Sequence, residues 1–469
     1  MNLPEDSRPY QKAHIVAGDL DEARNALAIR VEEIARDARR RIRLGSQDTF
    51  FRLAVRLPGT EPLEWLKVQA NPVRVFWSGR DDDEEIAGAG YADLFTEKNA
   101  GDHNSIVRRL HSSIASGDGD LRYFGGIRFD HGTDVDACWK PYGQFQFVLP
   151  RFEIRSQDGN ATLICNLAFP RDFPAVADIQ RDLRSMRFAG HTNGVSNEPL
   201  SRYDEPGRVE WREQVELALT AIERNELEKI VLARKSTFQF QQQPDPIDLL
   251  DRARKSMPGC FHFLFQPHER TAFIGASPER LYERLERAVW SEAVAGTRPR
   301  GGTDHEDHAL AEELLLSDKD RREHEFVRRS IIAGVGPYST SYSVDTAPSV
   351  MRFSHGLHLL ARLKATLRRD VTDTDLLQSL HPTPAVGGVP RKKALQQIDN
   401  LEPFDRGWYA GPVGWVGNEG AEFAVAIRSG LIYDTTLALF SGAGIVRGSE
   451  WEKEWDEIEQ KITGFTSLF

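Results

Sequence analysis

The sequence predicts a soluble globular protein built on an antiparallel β-sheet in its first half and on alternating strands and helices in its second. Two observations carry this. Strand-like segments follow one another with few helices between them, which is the order of antiparallel rather than parallel sheets. The composition, 40% hydrophobic and 28% charged, is that of a chain that folds in water around an apolar core. Its 469 residues suffice for one large domain or for two to three ordinary ones.

Residues 1–20 are polar and read as a loose N-terminal segment. From Asp21 to Arg43 the pattern is helical, and the basic run Arg36 to Arg43, which includes Asp37 and Ile42, reads as a solvated helix face. Strand-like segments come next: FFRLAVRLP, VRVFWSG, LRYFGGIRFD, FQFVLPRFEI and ATLICNLAFP, several bounded by Gly, Pro or Asp. The polar stretch from Ala189 to Gly207 reads as a connector, dividing the chain into halves spanning 21–200 and 201–469. Beyond it, Trp211, Val215, Ala218 and Ile222 recur at helical spacing, and KIVLARKSTFQF reads as a strand. The halves share one weak echo, FGGIRFD against FIGASPERL, and only the second copy continues into Ser277-Pro278-Glu279.

Charge and cysteine usage exclude several functions. A net charge of -11 repels phosphate backbones, so nucleic acid is not an expected partner. Cys138, Cys165 and Cys260 form no CxxC pair, which argues against a disulfide framework or a zinc site and fits a reducing cytoplasm. The polar start MNLPEDSRPYQKAH lacks a signal-peptide core, and no apolar run is long enough to span a bilayer. A cytoplasmic protein with no membrane partner is expected.

Several residues in the second half are chemically out of place. In AEELLLSDKDRREHEFVRRSII, Leu316, Asp320, Glu323 and Val327 share one arc at 3.6 residues per turn, so two carboxylates are expected to face the interior. A metal ion would relieve the cost of burying them; ion pairs to Arg321 or Arg328 are the alternative. The last helix carries an apolar stripe of Trp451, Trp455, Ile458 and Ile462, with Glu454, Glu457 and Lys461 in a row beside it. Carboxylates on two helices, without His or Cys, favour Mg²⁺ over zinc, whereas a surface Glu457–Lys461 pair is the ordinary reading. Gly442 and Gly444 read either as a plain tight turn or as a place where backbone N–H groups approach an anion. Lys229 opens an apolar strand, where it is either a general base with a lowered pKa or a lysine reaching the surface. Glu279, after a proline at a strand end, is either a general acid or a turn residue. No nucleotide-binding loop and no Ser/His/Asp or Cys/His set is present.

Taken together, EKIVLARK, FIGASPERL, EAVAGTRPRG, SDKDRREHEFV, LHPTPAVGGVPR, RGWYAGPVGWV, FAVAIRSG and SGAGIVRGSEWEKEWDEIEQKI resemble the chorismate-utilising enzymes over Arg208 to Phe469. Among these they resemble the isochorismate synthases, with a first half similar to that of the menaquinone-type members. The resemblance implies a single large α+β domain, in which antiparallel sheets from two related halves pack together with helices outside. It implies Lys229 as the base that activates water for attack on C2 of chorismate, and Glu279 as the acid that protonates the departing C4 hydroxyl. It implies Glu323 and Glu454 as Mg²⁺ ligands, with Asp320 and Glu457 as outer carboxylates. Tyr409, Arg428, Gly442, Gly444 and Lys461 match substrate-binding positions, and Thr297, His358 and Ala385 match the pocket wall.

Three positions separate the subtypes. Anthranilate synthases normally lack a lysine where Lys229 stands, aminodeoxychorismate synthases carry one where Ala295 stands, and salicylate synthases typically have threonine where Ala385 stands. All three favour a reaction that stops at isochorismate. A salicylate synthase, a siderophore-pathway isochorismate synthase and an inactive chorismate-binding homologue are the rivals. The expected partner is chorismate itself, bound by a monomer or weak homodimer.

Overall fold

Alternating small and large apolar residues, punctuated by Gly and Pro, give this chain many strands, and the computed structural model describes them over residues 15–80, 84–97, 103–117, 119–130, 135–188, 198–353 and 356–469. The described strands form one hydrogen-bonded network rather than two separate sheets. Pairing within it is antiparallel except where Ile15–Val16 lies parallel to Val55 and Arg56. The two halves are stitched together twice. Arg74–Ser78 pairs with Phe261–His268, placing Trp77 opposite Phe263, and Arg122–Ile127 pairs with Pro412–Gly417, placing Gly125 opposite Gly414.

Both faces of the sheet are covered. Phe76 and Leu264 point into one apolar core while their neighbours Trp77 and Phe263 point into the other. Successive strand residues face opposite ways, so a strand buried on both sides is apolar almost throughout, as Phe261–Phe265 is apart from His262, whose ring Nε2 lies 3.1 Å from the Met257 carbonyl. The helix Leu20–Arg41 closes one face with Leu27, Val31 and Ile34. Its N-terminus is capped by Asp19, whose carboxylate accepts the Glu22 N–H at 2.7 Å. The basic run lies outward, with Arg36 and Arg41 paired to Glu32 and Asp37 on the same helix.

The structure corrects several sequence expectations. The loose segment is shorter than 1–20, since Ile15–Val16 already pairs in the sheet and the helix begins at Leu20; residues 1–14 lie outside the described residues. Of the connector, 189–197 lie outside the described residues, while Ser201–Glu205 forms a strand against Lys229–Gln239. That strand is mostly exposed, so it shows no apolar pattern from which to read it. Glu85–Thr96 is a long strand whose only β-branched residues are Ile86 and Thr96. Its small residues are required by packing, since a Cβ on Gly88 would stand 2.6 Å from the Pro150 ring.

The expected single carboxylate helix is in fact two, Asp304–Leu316 and Asp318–Val335, broken at Ser317, whose hydroxyl accepts the Asp320 N–H and caps the second. Leu316 is therefore 77% exposed and does not share an inward arc with Asp320 and Glu323. Gly442 and Gly444 lie inside the strand Thr436–Val446, not in a turn.

Candidate active site

The strand Lys229–Gln239 pairs with Thr436–Val446 along its whole length. On the other side, the partner strand Ser429–Tyr433 reaches only to Phe440. The last residues of Thr436–Val446 therefore have an edge free of strand pairing, and a cavity of about 330 Å³ opens there. It is walled by the helices Asp318–Val335 and Trp451–Thr466 and by the loops around Glu279, Ala385 and Arg428. Its size suits a small-molecule ligand.

Lys229 is wholly buried, and its Nζ donates a hydrogen bond to Glu323 Oε1 at 2.8 Å. Lys229 does not itself line the cavity; it is reached through Glu323, which does. A glycine is needed here: a Cβ on Gly444 would stand 2.7 Å from Glu323 Oε1 and 3.0 Å from Lys229 Cε. Gly442 likewise leaves room for the Tyr409 hydroxyl, 3.1 Å from where its Cβ would be.

Glu279 follows the strand Thr271–Ser277 and lines the same cavity while only 4% exposed. Its N–H donates to Ser277 Oγ at 3.2 Å, and its carbonyl accepts the Val425 N–H at 3.0 Å. Burial pushes its carboxyl up, Lys229 and Lys461 pull it down and Glu292 pushes it up again, leaving it at about 7. A carboxyl so placed keeps its proton near neutrality, as a general acid must.

Each of the four carboxylates that the sequence singles out on these two helices is held by a cation. Glu323 pairs with Lys229, Asp320 Oδ2 accepts from Arg298 Nη2 at 2.9 Å, Glu454 Oε1 from Lys319 Nζ at 3.1 Å, and Glu457 Oε1 from Lys461 Nζ at 2.6 Å. None pairs with Arg321 or Arg328, the ion-pair alternative from the sequence; Arg328 goes instead to Glu325. Burial and the neighbouring Glu457 charge raise the Glu454 carboxyl against the pull of Lys319. At Glu457 burial is outweighed by Lys461, with Lys319 and Lys229 beyond it, and the carboxyl is lowered.

The rest of the wall mixes cationic and polar side chains with apolar ones such as Val231, Ile427 and Phe440. Arg428 adopts a left-handed backbone (φ 50°), and burial lowers its guanidinium below the ordinary value. Tyr409 stacks on Phe440 at 5.1 Å between ring centroids, and burial raises its phenol. Lys461 also donates to the Gly442 carbonyl at 2.8 Å. Thr297 Oγ1 lies 3.3 Å from His358 Nδ1, which is 3.0 Å from the Gly296 carbonyl, and Ala385 completes the wall. A carboxyl that holds its proton near neutrality, further carboxylates and cations thus meet in one cleft.

A family model described as chorismate binding enzyme matches residues 37–469. The chain belongs to that family. This chorismate binding enzyme is similar to isochorismate synthase MenF of Haemophilus influenzae, 31% identical over 90% of this chain and 93% of the relative. It is similar to the chloroplastic isochorismate synthase of Catharanthus roseus, 35% identical over 82% of this chain and 68% of the relative. Among solved structures it resembles MenF, the menaquinone-specific isochorismate synthase from Escherichia coli. That likeness has 29% identity and a TM-score of 0.79, covering 94% of this chain and 99% of the other.

For a chorismate binding enzyme the metal question turns on donor number. Among the described residues no three His, Cys, Asp or Glu side chains stand close enough to hold a metal unaided. Mg²⁺ commonly takes only one or two protein carboxylates, completing its shell with water and substrate oxygens. Glu323 and Glu454 fit that share: they come from two helices, line one cavity and already carry lysine cations. Lys319 is the residue that sequence reasoning missed. It lies in SDKD, where the acids drew attention and a lysine reads as their solvated partner; the structure turns it into the cavity wall against Glu454. No described helix is long and apolar enough to cross a membrane.

Proposed function

We propose that this chain is an isochorismate synthase of the menaquinone type, acting in the cytoplasm on chorismate with Mg²⁺. The observation that carries the reading is a proton-holding carboxyl in a cleft that also offers Arg428 and Lys461 to a dianion, with a buried lysine reached through Glu323. In that reaction Lys229 serves as the general base for the water whose oxygen bonds to C2. The ring double bond shifts, the C4–O bond breaks, and Glu279 gives its proton to the departing hydroxyl. One water enters and one leaves, so the net change is isomerisation. Arg428 and Lys461 hold the substrate carboxylates, while Tyr409, Thr297 and His358 shape the wall around the ring. Glu323 and Glu454 would hold Mg²⁺, with Asp320 and Glu457 as outer carboxylates. When bound, the ion supplies Lewis-acid compensation for carboxylate charge.

Ala385, in the wall where salicylate synthases typically carry threonine, favours release of isochorismate over loss of pyruvate. The test is incubation with chorismate and Mg²⁺, with and without a chelator, and chromatography of the products. Isochorismate, lost on chelation, is expected. Salicylate with pyruvate would overturn the reading in favour of a salicylate synthase, and untouched chorismate in favour of an inactive homologue. Restored menaquinone in cells lacking their own isochorismate synthase distinguishes the pathway from a siderophore route.

A further inference from the structure

Behind Glu279 lies a buried charge cluster for which the mechanism above has no use. Arg80, from the first half of the chain, donates from Nη1 to the Pro278 carbonyl at 2.7 Å and from Nη2 to Glu292 Oε1 at 2.8 Å. Both side chains are nearly inaccessible, 4% for Arg80 and 6% for Glu292. Arg280 approaches the same Glu292 oxygen at 3.6 Å and reaches Glu422 Oε1 at 3.2 Å, while Trp77 Nε1 donates to the other Glu422 oxygen. The two arginines flank the Phe261 ring, each 5.4 Å from its centroid. Glu292 Oε2 is buried with no hydrogen-bond partner among the described residues.

Such a cluster is costly to bury and is not needed for packing, since apolar residues of similar volume commonly serve as well or better. Its placement gives it a task. The Pro278–Glu279 segment is held at three backbone atoms: Ser277 Oγ takes the Glu279 N–H, Val425 N–H meets the Glu279 carbonyl, and Arg80 holds the Pro278 carbonyl.

We propose that the Arg80–Glu292 pair is the positioning unit of the proton donor, Arg80 clamping the peptide that aims Glu279 and screening the Glu292 charge behind it. The proposal rests on the reading of Glu279 as the general acid. The groups facing Glu279 are Lys229 from its strand, Glu292 from the strand Ala288–Arg298, Lys461 from the last helix, Thr383 and Tyr409 from loops. Of these, Glu292 is the group whose charge pushes the Glu279 carboxyl up, against the pull of Lys229 and Lys461.

The experiment compares Glu292→Gln, Arg80→Met and Arg80→Lys. The midpoint of Glu279 protonation is followed by the infrared band of its protonated carboxyl, assigned by the band's loss in Glu279→Gln, and the kcat–pH profile for chorismate is recorded alongside. Glu292→Gln removes a like charge and should move the midpoint down by roughly one pH unit. Arg80→Met unscreens that charge and should move it up. Arg80→Lys keeps the charge but not the forked grip, so the midpoint stays while kcat falls about 10-fold at little-changed KM. An unmoved or raised midpoint in Glu292→Gln overturns the proposal, as does a lowered one in folded Arg80→Met. If Arg80→Met does not fold, the other two variants decide. A wild-type protein that makes no isochorismate sinks the reading of the reaction, while the infrared midpoints still test the coupling.

Discussion

Replacing Gly444 with alanine perturbs the cleft at its tightest point. The new Cβ would meet Glu323 Oε1 at 2.7 Å and Lys229 Cε at 3.0 Å, where ordinary contact begins at 3.4 Å. The carboxylate must therefore retreat by about 0.7 Å and the lysine stem by about 0.4 Å, unless the strand moves as a whole. The strand is not free to move, because its other edge is paired to Lys229–Gln239 through Gly444 itself, opposite Val231. A misplacement of ~1 Å in a catalytic group costs ~100-fold in rate. The expected loss in kcat is therefore roughly 10- to 100-fold, about 1.4–2.7 kcal/mol on the barrier. Folding stability should stay within about 1 kcal/mol, since alanine has no backbone penalty at this strand position. Steady-state isochorismate formation and a thermal melt measure the two quantities. Gly59→Ala, whose Cβ meets nothing nearer than 3.8 Å, is the control that should leave both unchanged. A Gly444→Ala protein with wild-type kcat and wild-type melting would refute the claim that this glycine sets the Lys229–Glu323 geometry.

Glu279→Gln should lower kcat by ~10²–10⁴ and abolish the fall in rate expected of the wild type as pH rises through about 7. The same carboxyl, held above its ordinary 4.5, adds stability below pH 4.5 that is lost as pH rises toward 7, ~3 kcal/mol by linkage. Denaturant titrations of wild type and Glu279→Gln should diverge across that window and run parallel outside it; parallel curves throughout would mean that Glu279 ionises freely. Arg428→Ala should raise KM for chorismate by ~10- to 100-fold, the value of a charge-assisted contact, and an unchanged KM would remove Arg428 from the substrate site. Gly407→Ala puts a Cβ 2.0 Å from the Trp139 ring at a residue with φ 55°, so a loss of about 2–4 kcal/mol in urea is expected, and an unshifted midpoint would show that the Trp139 layer yields.

The residues that were legible in the sequence are those whose chemistry conflicts with their surroundings. Glu454 stands beside an apolar helix stripe and Lys229 heads an apolar strand, and both prove buried in ion pairs. Residues that agree with their local sequence were silent. Lys319 among acids reads as solvated, and Arg80 and Glu292 sit in ordinary strand-end and strand sequence, though three-dimensional pairing buries both. Periodicity misled at Leu316, because 3.6-residue spacing carries no mark of the cap at Ser317 that ends one helix and starts another. It also passed over Glu85–Thr96, where close approach to Pro150 demands the small residues that propensity counts against a strand. Gly-x-Gly reads as a turn until the partner strand and the Lys229–Glu323 pair behind it are known.

The rungs joining Arg74–Ser78 to Phe261–His268, and Arg122–Ile127 to Pro412–Gly417, bear on whether this protein can be dissected. A fragment keeping only the catalytic residues would bare two apolar rims of unsatisfied amide groups, which recruit further copies into aggregates. The first half also lends Arg80 to the Pro278 peptide that precedes Glu279. An engineer seeking a minimal catalyst therefore has to redesign those rims before trimming anything.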